Sequence, residues 1–206
     1  YAHREIDLIL LPSNSFQSQL SDLQSLDAGT VDIVIVVPIQ ENNLAPAVER
    51  LYDQGVPVIL YDHMIKSDKY TSFVAADNYL IGQQIGDYTK LLLNGRGNIL
   101  LIRGFPFLDT DQERYNGFCA SIKEGGPRQE YKVIAECQGN NSSGRSLGAV
   151  MDLLKDLPSS AKVDAVVAFS DEIALGARRA FDSVGFQKPL PFFIGVNALP
   201  GPNGGI

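Results

Sequence analysis

Four clusters of polar residues each follow an apolar run in this chain: Asp62-His63, Asp109 to Arg114, Ser170-Asp171 and Asn197. A helix-like pattern comes after each. In a parallel α/β sheet the carboxyl ends of the strands form the ligand crevice. Carboxylates, amides and a guanidinium collected there are groups that hydrogen-bond a small, hydroxyl-rich molecule. They do not make a catalytic set. Gly144-Arg145-Ser146-Leu147-Gly148 has the G-x-S-x-G spacing of a nucleophile elbow. The polar stretch Gln138 to Ser143 stands where a strand should lead into the serine, and both histidines, His3 and His63, precede it. The hydrolase order needs a histidine after the nucleophile. Gly95-Arg96-Gly97 lacks the third glycine of a dinucleotide fingerprint and precedes a strand-like run instead of following one. Two cysteines and two distant histidines give no metal-ligand spacing. The expectation is a binding module without metal or cofactor.

The bulk composition sets the class. With 206 residues the chain has room for one large or two small domains. Hydrophobic residues are 45% and charged residues 20%, the balance of a globular chain with a sizeable core. A net charge of -7 argues against contact with a phosphate backbone, so no nucleic-acid partner is expected through this domain. No apolar run reaches the roughly 18 residues of a membrane span. Tyr1-Ala2-His3-Arg4 leads straight into a strand-like run with no secretory leader, and a processed chain would look the same. Cys119 and Cys137 read as small buried apolar residues, with a disulfide left open.

The elements that must position these clusters alternate. Strand-like runs, short and almost wholly apolar, cover Ile6 to Leu11, Asp32 to Val37, Val56 to Tyr61, Phe73 to Ala76, Asn98 to Ile102, Tyr131 to Glu136, Ala165 to Phe169 and Phe192 to Val196. Such runs belong to strands buried on both faces of a parallel sheet. Helical spacing intervenes, as in Leu44, Ala47, Val48 and Leu51 closed by Gly55, and Ile173, Ala177, Ala180, Phe181 and Val184 closed by Gly185. Alternation of this kind predicts right-handed βαβ units. The chain is expected to break near Ala76-Asp77-Asn78 into two Rossmann-like α/β lobes, 1–77 and 78–206, of four strands each.

Asp32 to Pro38, Leu44 to Val48 and Gly55 to Asp62 resemble the N-terminal lobe of periplasmic sugar-binding proteins of the ribose and galactose type. Ala76-Asp77-Asn78 with Gly82, Gly97 to Gly104 with Arg114 and Gly117-Phe118, Asp164 to Ala177, and Ile194 to Pro200 continue the match in order. The resemblance implies the type I periplasmic-binding-protein fold. Relatives begin with one more strand and helix and return to the first lobe at the end; the first strand and the C-terminal return are missing here. An open first-lobe edge leaves room for a partner chain, a homodimer included. The implied function is to bind a small carbohydrate in a cleft and signal by hinge closure in the periplasm. Ile65 to Asn78 and Leu199 to Gly205 are most similar to sensor domains of membrane hybrid histidine kinases; a transporter is the other partner implied. The same lobes form the effector-binding core of lactose-repressor-type regulators, which is the alternative, although no helix-turn-helix precedes them here. A sugar-acting enzyme is the minor alternative, with Asp62 and Asp171 as paired carboxylates.

The resemblance also implies a ligand set. Asp62 stands where relatives accept hydrogen bonds from sugar hydroxyls, and His63 where they often hold an arginine. The ligand-gripping arginine of the family falls at Gln112 or Arg114; Arg114 reads equally as a brace paired with Asp171 or Asp109. Asp109 and Asp111 read as N-cap groups. Ser170 replaces the usual asparagine, Asp171 reads chiefly as a helix-terminus group, and Asn197 replaces the aspartate of galactose binders. Asn14 and Asn140 follow other strands. Phe16, Phe105 and Phe107 are candidate platforms for a sugar ring, each also a natural core residue. The departures at Gln112, Ser170 and Asn197 imply an unusual sugar or polyol.

Overall fold

Apolar runs that cannot satisfy their own backbone groups pair side by side, and their helical connections cover the result. A computed structural model of the chain describes residues 6–39, 43–106, 108–124, 130–158, 160–186 and 189–198. In order they form α1 (Phe16–Ser25), β1 (Val34–Val36), α2 (Ala45–Asp53), β2 (Val58–Tyr61), β3 (Ser72–Val74), α3 (Asn78–Leu93), β4 (Arg96–Arg103), α4 (Asp109–Lys123), β5 (Glu130–Gln138), α5 (Ser143–Asp156), β6 (Ala165–Ala168), α6 (Asp171–Val184) and β7 (Phe192–Ile194). The chain divides into two compact units, 1–76 and 77–206.

The first unit holds a parallel sheet of order β1-β2-β3, in register from Val34 against Val58. Val34, Val36, Val58 and Leu60 bury one face under α1 and α2, where Leu23, Leu44, Val48 and Leu51 meet them. Long side chains tie the helices down. Arg50 of α2 donates to the carbonyls of Leu23 and Leu26 at the end of α1, at 2.9 and 2.7 Å. Gln19 of α1 donates to Val37 O at 2.8 Å and accepts from Ile39 N at 2.9 Å, serving the extended chain after β1 as a strand partner would. The opposite face carries Ile35 and Tyr61, 64% and 52% exposed.

Two expectations fail in this unit. Ile6 to Leu11 is not a strand: it runs as exposed coil, with Ile6 at 85% exposure. The first unit therefore has three strands among the described residues, not four. An apolar run becomes a strand only when a neighbouring strand takes its backbone groups, and no described strand pairs with this one.

The second unit is a four-stranded parallel sheet of order β5-β4-β6-β7. Leu100, Ile102, Val166 and Ala168 face α5 and α6, while Ile99, Leu101, Val167 and Phe169 face α3 and α4. Because both faces are covered, the central stretches Ile99–Ile102 of β4 and Ala165–Ala168 of β6 are apolar at every position, whereas the edge strand β5 carries Glu130, Lys132 and Glu136. The helix pairs close through glycines. A Cβ at Gly82 of α3 would strike the carbonyl of Arg114, one at Gly117 of α4 that of Tyr79, and one at Gly176 of α6 that of Ser143. Ser146, the serine of the elbow-like motif, is buried inside α5 and donates to Ile173 O at 2.8 Å, so it is part of the helix packing. Cys137 is paired across the sheet with Ile102 and packs on the α5–α6 side, whereas Cys119 packs on the α3–α4 side. The thiols point to opposite faces and are free.

Gly82→Ala and Gly117→Ala are expected to lower stability by about 1–3 kcal/mol, the range for overpacking. Gly148→Ala, which meets open space, should be neutral or stabilising through helix propensity. Urea denaturation followed by circular dichroism distinguishes the three. Burial, and then the Glu136 carboxylate, push the Cys137 thiol up to about 11. Iodoacetamide at pH 8 should therefore spare native Cys137 and alkylate it after unfolding, as read by peptide mass spectrometry.

Candidate functional site

In the second unit the chain leaves β4 for β5 on one side and later returns to β6 on the other. The connections diverge above the carboxyl ends of β4 and β6, which makes this the topological switch point where α/β sheets hold ligands. The sequence places a charged residue at each side of it. Arg103 ends β4 and is nearly buried; its Nε and Nη2 donate to Asp111 Oδ2 at 2.8 and 2.6 Å. The other Asp111 oxygen accepts from Gly104 N at 2.7 Å. The guanidinium lies over the Tyr115 ring at 4.3 Å and faces Glu136 at 3.7 Å. Asp111 is thus the anchor of a buried ion pair, not a helix cap; the N-cap of α4 is Leu108.

Gln112 is exposed on the first turn of α4. It accepts from Arg103 at 3.1 Å and donates to Asn116 Oδ1 at 3.0 Å. Arg114 points elsewhere. Its Nε donates to Asn78 Oδ1 at 2.8 Å and its Nη1 to Phe169 O at 2.9 Å, tying α4 to the start of α3 and the end of β6. These bonds give Arg114 a bracing function at the point where the chain enters the second unit. Ser170 is the N-cap of α6, accepting from Ile173 N at 3.3 Å, and is buried with Asp171 beside it. Ser170 is thus the cap itself, and Asp171 is the first residue of α6, a carboxylate at the helix N-terminus. Asp171 packs against Gly195 at the end of β7 and its backbone N–H bonds Val196 O.

In the first unit Asp62 follows β2. Its φ is 66°, and the hydrogen bond from His63 N to Tyr61 O at 2.8 Å closes a three-residue turn around it. The Asp62 carboxylate is half-exposed and lies 3.4 Å from His63 Nε2. His63 Nδ1 is the one buried side-chain polar atom without a partner among the described residues. Asn14 is exposed just before Ser15, the N-cap of α1, and Phe16 packs on the core. Phe105 is half-buried after β4, and Phe107 lies outside the described residues.

Strained backbone gathers at the same places. Six described non-glycine residues have positive φ, and five follow the carboxyl ends of strands: Asp62 after β2, Asn140 and Asn141 after β5, and Asn197 and Ala198 after β7. The sixth, Asn94, ends α3. Such conformations persist where surrounding structure over-determines them, and they concentrate at functional sites. No group of three or more His, Cys, Asp or Glu that would hold a metal occurs among the described residues. Sequence reasoning missed Arg103, Gln19 and Asn116.

A family model described as a periplasmic binding protein domain matches residues 5–201. The chain belongs to the periplasmic binding protein family. This family chain is 27% identical over 195 residues to the ribose import binding protein of Escherichia coli (strain K12), covering 94% of this chain and 63% of that one. It is similar to the solved fructose-binding periplasmic domain of a hybrid two-component system, at 34% identity and a TM-score of 0.80, over 93% of this chain and 61% of that one. A Caulobacter myo-inositol binding protein, solved with myo-inositol, matches at 28% identity and a TM-score of 0.78, over 91% and 62%. The chain thus spans about three-fifths of the length of these relatives. The type I periplasmic-binding-protein fold inferred from the residues is the fold of these neighbours.

Arg103→Met leaves Asp111 buried without its partner and is expected to cost about 3–5 kcal/mol. The double change Arg103→Met with Asp111→Leu should recover most of that loss, because apolar pairs of similar volume replace buried ion pairs at little cost. Guanidinium denaturation of the two variants measures the difference.

Proposed function

We propose that this chain binds a small carbohydrate or polyol, with side chains from both units closing on it, and reports occupancy to a membrane partner. The supporting observation is the coincidence of polar side chains and strained backbone at the carboxyl ends of strands in each unit. Family membership and relatives named for ribose, fructose and myo-inositol support the ligand class. Asp62 supplies the acceptor: a carboxylate takes two hydroxyl protons through charge-assisted bonds. His63, Gln112, Asn140 and Asn197 supply further polar contacts. Ser170, Asp171, Asn14 and Phe107 belong to the proposed set by their strand-end positions, and Arg114 acts through the brace it forms. No chemistry is asked of these groups, and the proposal needs no cofactor.

Signalling follows from differential affinity. A ligand that contacts both units favours the closed arrangement only by as much as it prefers it. The hinge is proposed at Asp77-Asn78, where Asp77 caps α3 through Leu80 N at 2.8 Å and Asn78 is held by Arg114. We favour the periplasmic sensor domain of a membrane histidine kinase over a transport binding protein, because identity to the two-component domain, 34%, exceeds that to the ribose import protein, 27%.

Isothermal titration against D-ribose, D-fructose, myo-inositol and D-galactose is expected to give one ligand with a clear binding isotherm, and small-angle scattering a smaller radius of gyration on its addition. Asp62→Asn should weaken that ligand about tenfold or more, since bonds to a charged acceptor contribute about 1.5–3 kcal/mol. No isotherm and no compaction with any saccharide would sink the reading.

A further inference from the structure

The bonds around Gln112 have a direction. An arginine carries donors and no acceptor. Arg103 Nη2 lies 3.1 Å from the Gln112 side chain, so the amide oxygen must face it. The nitrogen then faces Asn116, and the 3.0 Å bond there makes Asn116 Oδ1 the acceptor. The hydrogens left for a third molecule are the second Nε2 hydrogen of Gln112 and the Nδ2 hydrogens of Asn116, both on exposed residues of α4; each amide oxygen already accepts one bond and keeps a single lone pair. Arg103 cannot turn to release the amide. Asp111 holds two of its nitrogens, Tyr115 lies under its plane and Glu136 stands beside it. Asp111 itself is fixed by Gly104 N. An amide on an open helix turn would otherwise present either end; here a buried ion pair chooses the end.

We infer that Arg103 is a positioning residue that keeps the donor end of Gln112 outward, so that this rim favours a ligand oxygen acting as acceptor over an ammonium in its place. The chemical class is a sugar or polyol with a ring, carbonyl, carboxylate or hydroxyl oxygen there, in preference to an amino sugar. The inference rests on the carbohydrate reading above. It gives the rim of the second unit a polarity opposite to that of Asp62, which only accepts when ionised. Discrimination of this kind comes from the group left unpaired with the wrong ligand.

The test is titration of the wild-type chain, Gln112→Glu and Arg103→Gln against the four sugars and polyols named above, and against D-galactose, D-glucose and D-mannose paired with their 2-amino counterparts. Wild type should bind its best neutral ligand and prefer it to any amino sugar. Gln112→Glu keeps its partner, now through a charge-assisted bond to Arg103, so its thermal midpoint should hold while affinity for the neutral ligand falls about tenfold or more. Arg103→Gln, which can accept as well as donate, should let the amide turn and lose the preference over amino sugars. Gln112→Glu keeps the test decisive if Arg103→Gln does not fold. Neutral-ligand affinity within about twofold of wild type in Gln112→Glu overturns this inference and leaves the carbohydrate reading standing. A wild-type chain that binds nothing in the panel overturns both.

Discussion

The second unit depends on β4 being enclosed on every side. Strands lie along both of its edges and helices over both faces, and Ile99 to Ile102 have no exposed surface. A strand so placed has no freedom to slip, since a shift by one residue would exchange its two apolar faces and disturb both helix layers. That rigidity is passed to its end. Arg103 emerges from the sheet already oriented, meets Asp111 on the first turn of α4 and fixes the loop through Gly104. The switch point is a rigid frame because its base is a packed strand.

The first unit is built with less. Its strands are three or four residues long and one face of its sheet is only partly covered. It compensates with side chains that reach backbone groups. Arg50 takes carbonyls at the end of α1, and Gln19 serves both a carbonyl and an N–H beyond β1. Asp62 occupies a turn that closes over a single residue. In this unit polar bonds hold the helices and the strand-end loops, whereas in the second unit apolar packing holds the strands and the Arg103–Asp111 pair fixes the loop after β4.

Much of this was legible in the residues, because burial on two faces leaves a direct trace. The runs at Ile99 to Ile102 and Ala165 to Ala168 could hardly be anything but enclosed strands, and Gly185 at the end of α6 has the positive φ its position demands. Ile6 to Leu11 shows the limit: hydrophobicity records a readiness to be buried but not whether a neighbour exists. The site was legible by position and less so by role. Gln112 and Arg114 are two residues apart on one helix and therefore point in different directions; the spacing cannot say which faces outward. Arg103 carried no signal of its own, because a charged residue after an apolar run ordinarily reads as a strand reaching solvent. Its partner eight residues on had an equally ordinary explanation at a helix start. Only the fold brings the two together.

The placement of the thiols has a practical meaning. With Cys119 and Cys137 directed into separate layers of the second unit, a sheet stands between the sulfurs. No internal cross-link can form while that sheet is intact, whatever the redox poise of the surroundings. A Cys119–Cys137 bridge is therefore closed to the folded unit in glutathione-rich and in air-oxidised solution alike.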